Sequence, residues 1–186
     1  MNAAVRLRFA TAQDLYEAYP TARIDVGAPA DARGSLDFAR ALAGAGELKG
    51  ALSFCAYLLS RFDAVLWACA CLRRDAMSGA SPAEAAALAA AEAWTREPDE
   101  TRRRRALDLA ERADVKSPAT WAAFAAGRAG GQIAVDEKHL VPMPLYATAQ
   151  AARISLILAG ARAGFAARDD LMRGWIEAGL ARAAAD

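Results

Sequence analysis

Four consecutive arginines, Arg102, Arg103, Arg104 and Arg105, are the sharpest chemical feature of the sequence. They follow Asp99 and Glu100, where a helix is expected to start, so their charge falls on the positive end of a helix dipole. A phosphate or an acidic peptide held by charge-assisted hydrogen bonds would relieve that conflict. Successive helical residues, however, are turned by about 100°, so the four cannot share one face. Glu97, Asp99, Glu100, Asp108 and Glu111 also supply acids enough to neutralise the run. The expectation is a solvated helix start, with binding of an anion or of nucleic acid through Arg102 to Arg105 as the alternative.

His139 is the single histidine, beside Asp136 and Glu137 in DEKHLVPMP. It is a candidate general base or partner-binding residue, but no serine or cysteine nucleophile sits in a recognisable motif, so an exposed loop histidine is the plainer reading. Three cysteines, Cys55, Cys69 and Cys71, form neither a CxxC motif nor a cysteine–histidine cluster, which leaves a tetrahedral metal short of ligands. They read as small apolar residues of the core, and their odd number fits a reducing compartment, hence the cytoplasm. Glu84 and Glu92 could share a helix face, but a catalytic dyad needs burial and facing geometry. Gly44 and Gly46, like Gly130 and Gly131, fall where helices end, not where a phosphate loop enters one. Neither a cofactor nor a metal is expected.

The 23 basic and 22 acidic residues give a formal net charge of +1, too little for a global field that attracts nucleic acid. Hydrophobic residues reach 55%, but alanine supplies much of that share and favours helix while burying little area. Behind Arg6 and Arg8 there is no apolar run of about seven to fifteen residues, so a secretory signal peptide is not expected. The most apolar stretch, residues 145–167, is broken by Gln150, Arg153 and Arg162, which makes it a buried helix rather than a membrane span.

The elements that would position these residues are helical. In residues 1–34 the alternating VRLRF segment is an extended arm, Thr11 caps a short helix that Pro20 ends, and residues 21–34 are loop. Residues 35–186 form one helical domain. Its helices begin near Ser35, Glu47, Phe62, Ser81, Asp99, Ser117, Leu145 and Arg168. Leu48, Leu52, Cys55 and Leu59 mark one buried stripe, the segment around Trp67 is apolar on all sides and therefore central, and Ser81-Pro82-Ala83-Glu84 is a full capping box. Pro142 and Pro144 exclude helix from the break at residues 132–144. The predicted fold is all-α, a compact bundle of antiparallel helix pairs. Helix openings at Glu47, Ser81 and Ser117, 34 and 36 residues apart, keep a solenoid as the alternative.

The segments FDAVLWACACLRR, SPAEAAALAAAEAWTREPDETRR and SPATWAAFAAGRAGG, within residues 38–161, resemble a proteobacterial family known as a domain of unknown function. Some of its members are encoded near type VI secretion genes. That resemblance implies no catalytic residue. The functional expectation is a protein-interaction or scaffold module of a bacterial assembly, its partner another protein and not a membrane. The rival readings are an enzyme of unfamiliar type, with carboxylates or His139 in a pocket, and the anion-binding arginine run.

Overall fold

Short-range capping chemistry starts five of the ten helices in the computed structural model, which describes residues 7–134 and 139–185. The Thr11 hydroxyl accepts from the Asp14 amide and the Asp14 carboxylate accepts from the Thr11 amide, which opens α1 (Ala12–Ala18). Pro20 then differs from its sequence reading. It occupies the first turn of a second helix, α2 (Pro20–Val26), where a missing amide costs nothing, so residues 21–34 are not all loop. Val5 and Arg6 of the expected arm lie outside the described residues.

The bundle continues with α3 (Ser35–Gly44), α4 (Leu48–Leu58), α5 (Arg61–Asp75), α6 (Pro82–Arg96), α7 (Glu100–Arg112) and α8 (Pro118–Gly127). A hairpin of two three-residue strands follows, β1 (Gln132–Ala134) and β2 (Leu140–Pro142), antiparallel with Ile133 opposite Val141. Two long helices, α9 (Ala147–Arg162) and α10 (Phe165–Ala183), complete the chain. Ser60, Ser81, Asp99 and Ser117 each accept an amide bond at the start of α5, α6, α7 and α8, and Glu84 closes the Ser81 box as its spacing required. The hairpin departs from a purely helical expectation; it sits in the break that the two prolines kept from being helix.

Helices α8 and α9 form the centre. All of α8 except Trp121 is buried, and its alanines let neighbours approach closely. A β-carbon at Gly127 would lie 2.7 Å from Leu107 Cβ on α7. Helix α9 packs on α4, α5, α8 and α10, and α10 returns to α3, α4 and α5. A solenoid joins each repeat to its sequence neighbours alone. The return of α10 closes the body instead, and the compact helical bundle is the fold.

Trp67 is core, as its helix predicted. Its indole Nε1 donates to the Trp175 carbonyl at 2.9 Å, and its ring lies against Gly179, where a β-carbon would come within 3.1 Å. Trp175 in turn donates from Nε1 to Asp75 Oδ2 at 2.6 Å. Among the described residues no helix is long and apolar enough to cross a membrane.

Candidate functional site

Three carbonyls at the end of α8 are each met by a side chain from another helix. Arg103 of α7 donates through Nη1 to the Gly127 carbonyl, Arg61 of α5 donates to Ala129 at 3.0 Å, and Thr148 of α9 donates to Arg128 at 3.0 Å. These contacts place positive charge and donors at the negative end of the α8 dipole. The chain then turns through Gly130 and Gly131. Gly131 has φ +82°, and a β-carbon on it would fall 2.5 Å from Arg103 Nη2, so the guanidinium occupies the space a side chain would need. The Met143 amide donates to the Gly131 carbonyl at 2.9 Å and fixes the returning end of the hairpin. Arg103 is thus the residue on which the hairpin is rooted.

Between α7, the end of α8, the hairpin and the start of α9 lies a cleft of about 480 Å³. Leu107, Ile133, Met143, Pro144 and Ala147 give it apolar walls, and Arg128 and Glu111 are its charged residues. The Arg128 guanidinium carbon lies 4.6 Å from the centre of the Phe124 ring and 5.8 Å from that of Trp121. Among the described residues no carboxylate is within ion-pair distance of it. Burial lowers its pKa, and the field of Glu111 offsets part of that shift. Ile133 and Val141, opposite one another in the register, share a sheet face and are 36% and 38% exposed; Leu140 and Leu145 are exposed further, at 62% and 57%.

The arginine run does not act as a unit, because the helix turns its members apart. Arg102 pairs with Glu97 and Asp99, and Arg104 pairs with Glu100 at 2.6 Å, both at the surface. Arg105 is exposed. Arg103 corrects the expectation of a wholly solvated run: it is buried, with Glu100 at 2.6 and 2.8 Å and the Gly127 carbonyl as its partners. His139 is exposed just before β2 and is not among the residues lining the cleft, while Asp136 and Glu137 lie outside the described residues.

The other candidates are engaged in the fold. Glu84 pairs with Arg162 of α9 and Glu92 with Arg73 of α5 at 2.7 Å, so the two carboxylates on α6 serve different neighbours. The Glu84–Arg162 pair stands between two smaller clefts, of about 240 and 310 Å³. Bonds from the Ser81 amide and from Arg162 hold the Glu84 carboxyl down at about 2. All three cysteines are buried, and desolvation raises each thiol, Cys71 to about 12, far from the thiolate that a nucleophile or metal ligand requires. Among the described residues no three histidine, cysteine or acidic side chains gather as a metal would need.

A model of one protein family matches residues 38–183, most of the chain. The chain belongs to DUF6931, a family of unknown function. No curated protein and no solved structure matches it. Every residue of the Arg128 cleft falls within the DUF6931 match, whereas α1 and α2 precede it. Sequence reasoning missed this cleft. A signal was present: Trp121, Phe124 and Arg128 stand at i, i+3 and i+7, which aligns two rings and an arginine along one edge of a helix.

Proposed function

We propose that this DUF6931 protein is a protein-interaction module and that the cleft beside the hairpin is its docking surface. One observation carries the reading: Arg128 is half-buried over two aromatic rings, lacks an ionic partner among the described residues, and faces an apolar cleft lined in part by Ile133, beside which Val141 on the same sheet face is also left in solvent. A guanidinium taken partly from water with no carboxylate at ion-pair distance among the described residues is costly to the fold, and apolar groups beside it lose nothing by being covered. Aromatic and arginine side chains together are also the residue types that dominate binding energy at protein interfaces. From the cysteine usage we carry forward a cytoplasmic location, and from the sequence resemblance a protein partner within a bacterial, secretion-related assembly. The molecule acts by binding rather than by catalysis.

Site-directed photo-crosslinking tests this reading. A benzoylphenylalanine at Ile133, on the cleft, is expected to give one discrete protein adduct in cells that make the protein. The same group at Ile24, 83% exposed on α2, is expected to give none. Equal labelling from both positions, or a position-133 adduct that persists when Arg128 is replaced by methionine and Val141 by aspartate, would refute the docking surface.

A further inference from the structure

Resting on the interaction reading above, we infer that the cleft takes a segment of the partner protein that presents one acidic side chain between apolar residues, with its carboxylate paired to Arg128. The Phe124 and Trp121 rings hold the guanidinium without using any of its five N–H donors. A carboxylate answers those donors with two parallel bonds, and partial desolvation strengthens such a pair.

The charge count selects the anion. Among the described residues the cleft is lined by one cation, Arg128, and one anion, Glu111. A phosphate group carries close to two negative charges, and nucleic acid a charge about every 1.7 Å, so either would meet too few cations and a repelling acid. A single carboxylate, with one charge and two oxygens for the Arg128 fork, meets the least repulsion from Glu111. The walls select its surroundings. Leu107, Met143 and Pro144 offer apolar contact inside, and the volume of about 480 Å³ holds only a few side chains. Beyond the cleft the apolar surface continues from Ile133 to Val141, its partner on the same sheet face, farther than a small free carboxylic acid would reach. An occupant that covers both is a chain segment.

Selection from a random peptide library displayed on phage, against the whole protein, tests the inference. Selected peptides are expected to share one aspartate or glutamate flanked by apolar residues. Synthetic versions should lose about 10-fold or more in affinity when that acid becomes its amide, or when Arg128→Met is the target, the value of one charged hydrogen-bonded pair. Arg128→Lys, which keeps the charge but not the fork, should fall between, and circular dichroism melting would verify that both variants fold. Peptides that share no acid and bind Arg128→Met as tightly, yet are lost on Val141→Asp, would overturn the carboxylate while leaving the docking surface standing. Selection of no peptide sensitive to Val141→Asp would overturn both. Tighter, Arg128-dependent binding of single-stranded DNA or of octanoate than of any selected peptide would overturn the inference in favour of those classes.

Discussion

The seam between α5 and α10 and the cleft between α7, α8 and the hairpin treat their polar groups in opposite ways. At the seam, the Trp67 indole donates to the Trp175 carbonyl, the Trp175 indole donates to Asp75, and Gly179 leaves the Trp67 ring the space a side chain would take. At the cleft, Arg103 is equally well answered, by Glu100 and Gly127, but Arg128 a short distance along is answered by rings alone among the described residues. A buried group with all its bonds made belongs to the fold; a half-buried charge with no ion pair among the described residues is, on the proposed reading, left for a partner.

The largest effect is expected at the seam. Trp67→Ala should cost about 3–5 kcal/mol in urea unfolding, because it empties a large buried site and removes the indole bond to the Trp175 carbonyl. A loss below about 1 kcal/mol would erase the distinction between a sealed region and an open one.

Next comes the root of the hairpin. Arg103→Met should cost about 1–3 kcal/mol, since the Gly127 carbonyl loses a charged donor in a buried place. Hydrogen exchange at the Met143 amide, bonded to Gly131, should quicken in the same variant. Unchanged exchange would mean that the hairpin is not held by Arg103.

These two residues also show what the sequence could disclose. Trp67 was legible because its helix is apolar on every side, and the Ser81 box because all its atoms lie within four residues. Arg103 was not, because its burial depends on Gly127 and Leu107 letting α7 and α8 approach, a contact between distant segments. Pro20 was misread because the same residue that ends one helix is well placed to open the next. The hairpin strands are three residues each, too short for alternation to show. The aromatic–arginine edge of α8 was written in the chain, but which edge faces a cleft is decided by the hairpin and α9.

A smaller effect concerns acid. The Glu84 carboxyl, held at about 2 against an ordinary 4.5, stabilises the fold above pH 4.5, and that contribution is lost as pH falls from 4.5 toward 2. Stability of the wild type should therefore drop through that window, and Glu84→Gln should flatten the drop while lowering stability at neutral pH. Glu100 is shifted likewise by Arg103 and Arg104, but it is more exposed and should contribute less. An unaltered slope in Glu84→Gln would show that the pair with Arg162 does not join α6 to α9.

The smallest change in stability is expected at Arg128, and there the contrast between fold and surface is decided. Arg128→Met keeps an unbranched stem over Phe124 and Trp121 and removes a charge that has no ion pair among the described residues. Urea unfolding of this variant beside Arg103→Met is the direct measurement. The expected result is a shift of less than about 1 kcal/mol for Arg128→Met, the scale of a partly exposed cation–π contact, against a clear loss for Arg103→Met. A loss at Arg128 equal to that at Arg103 would contradict the account, because it would make Arg128 part of the fold and not a group kept for a partner.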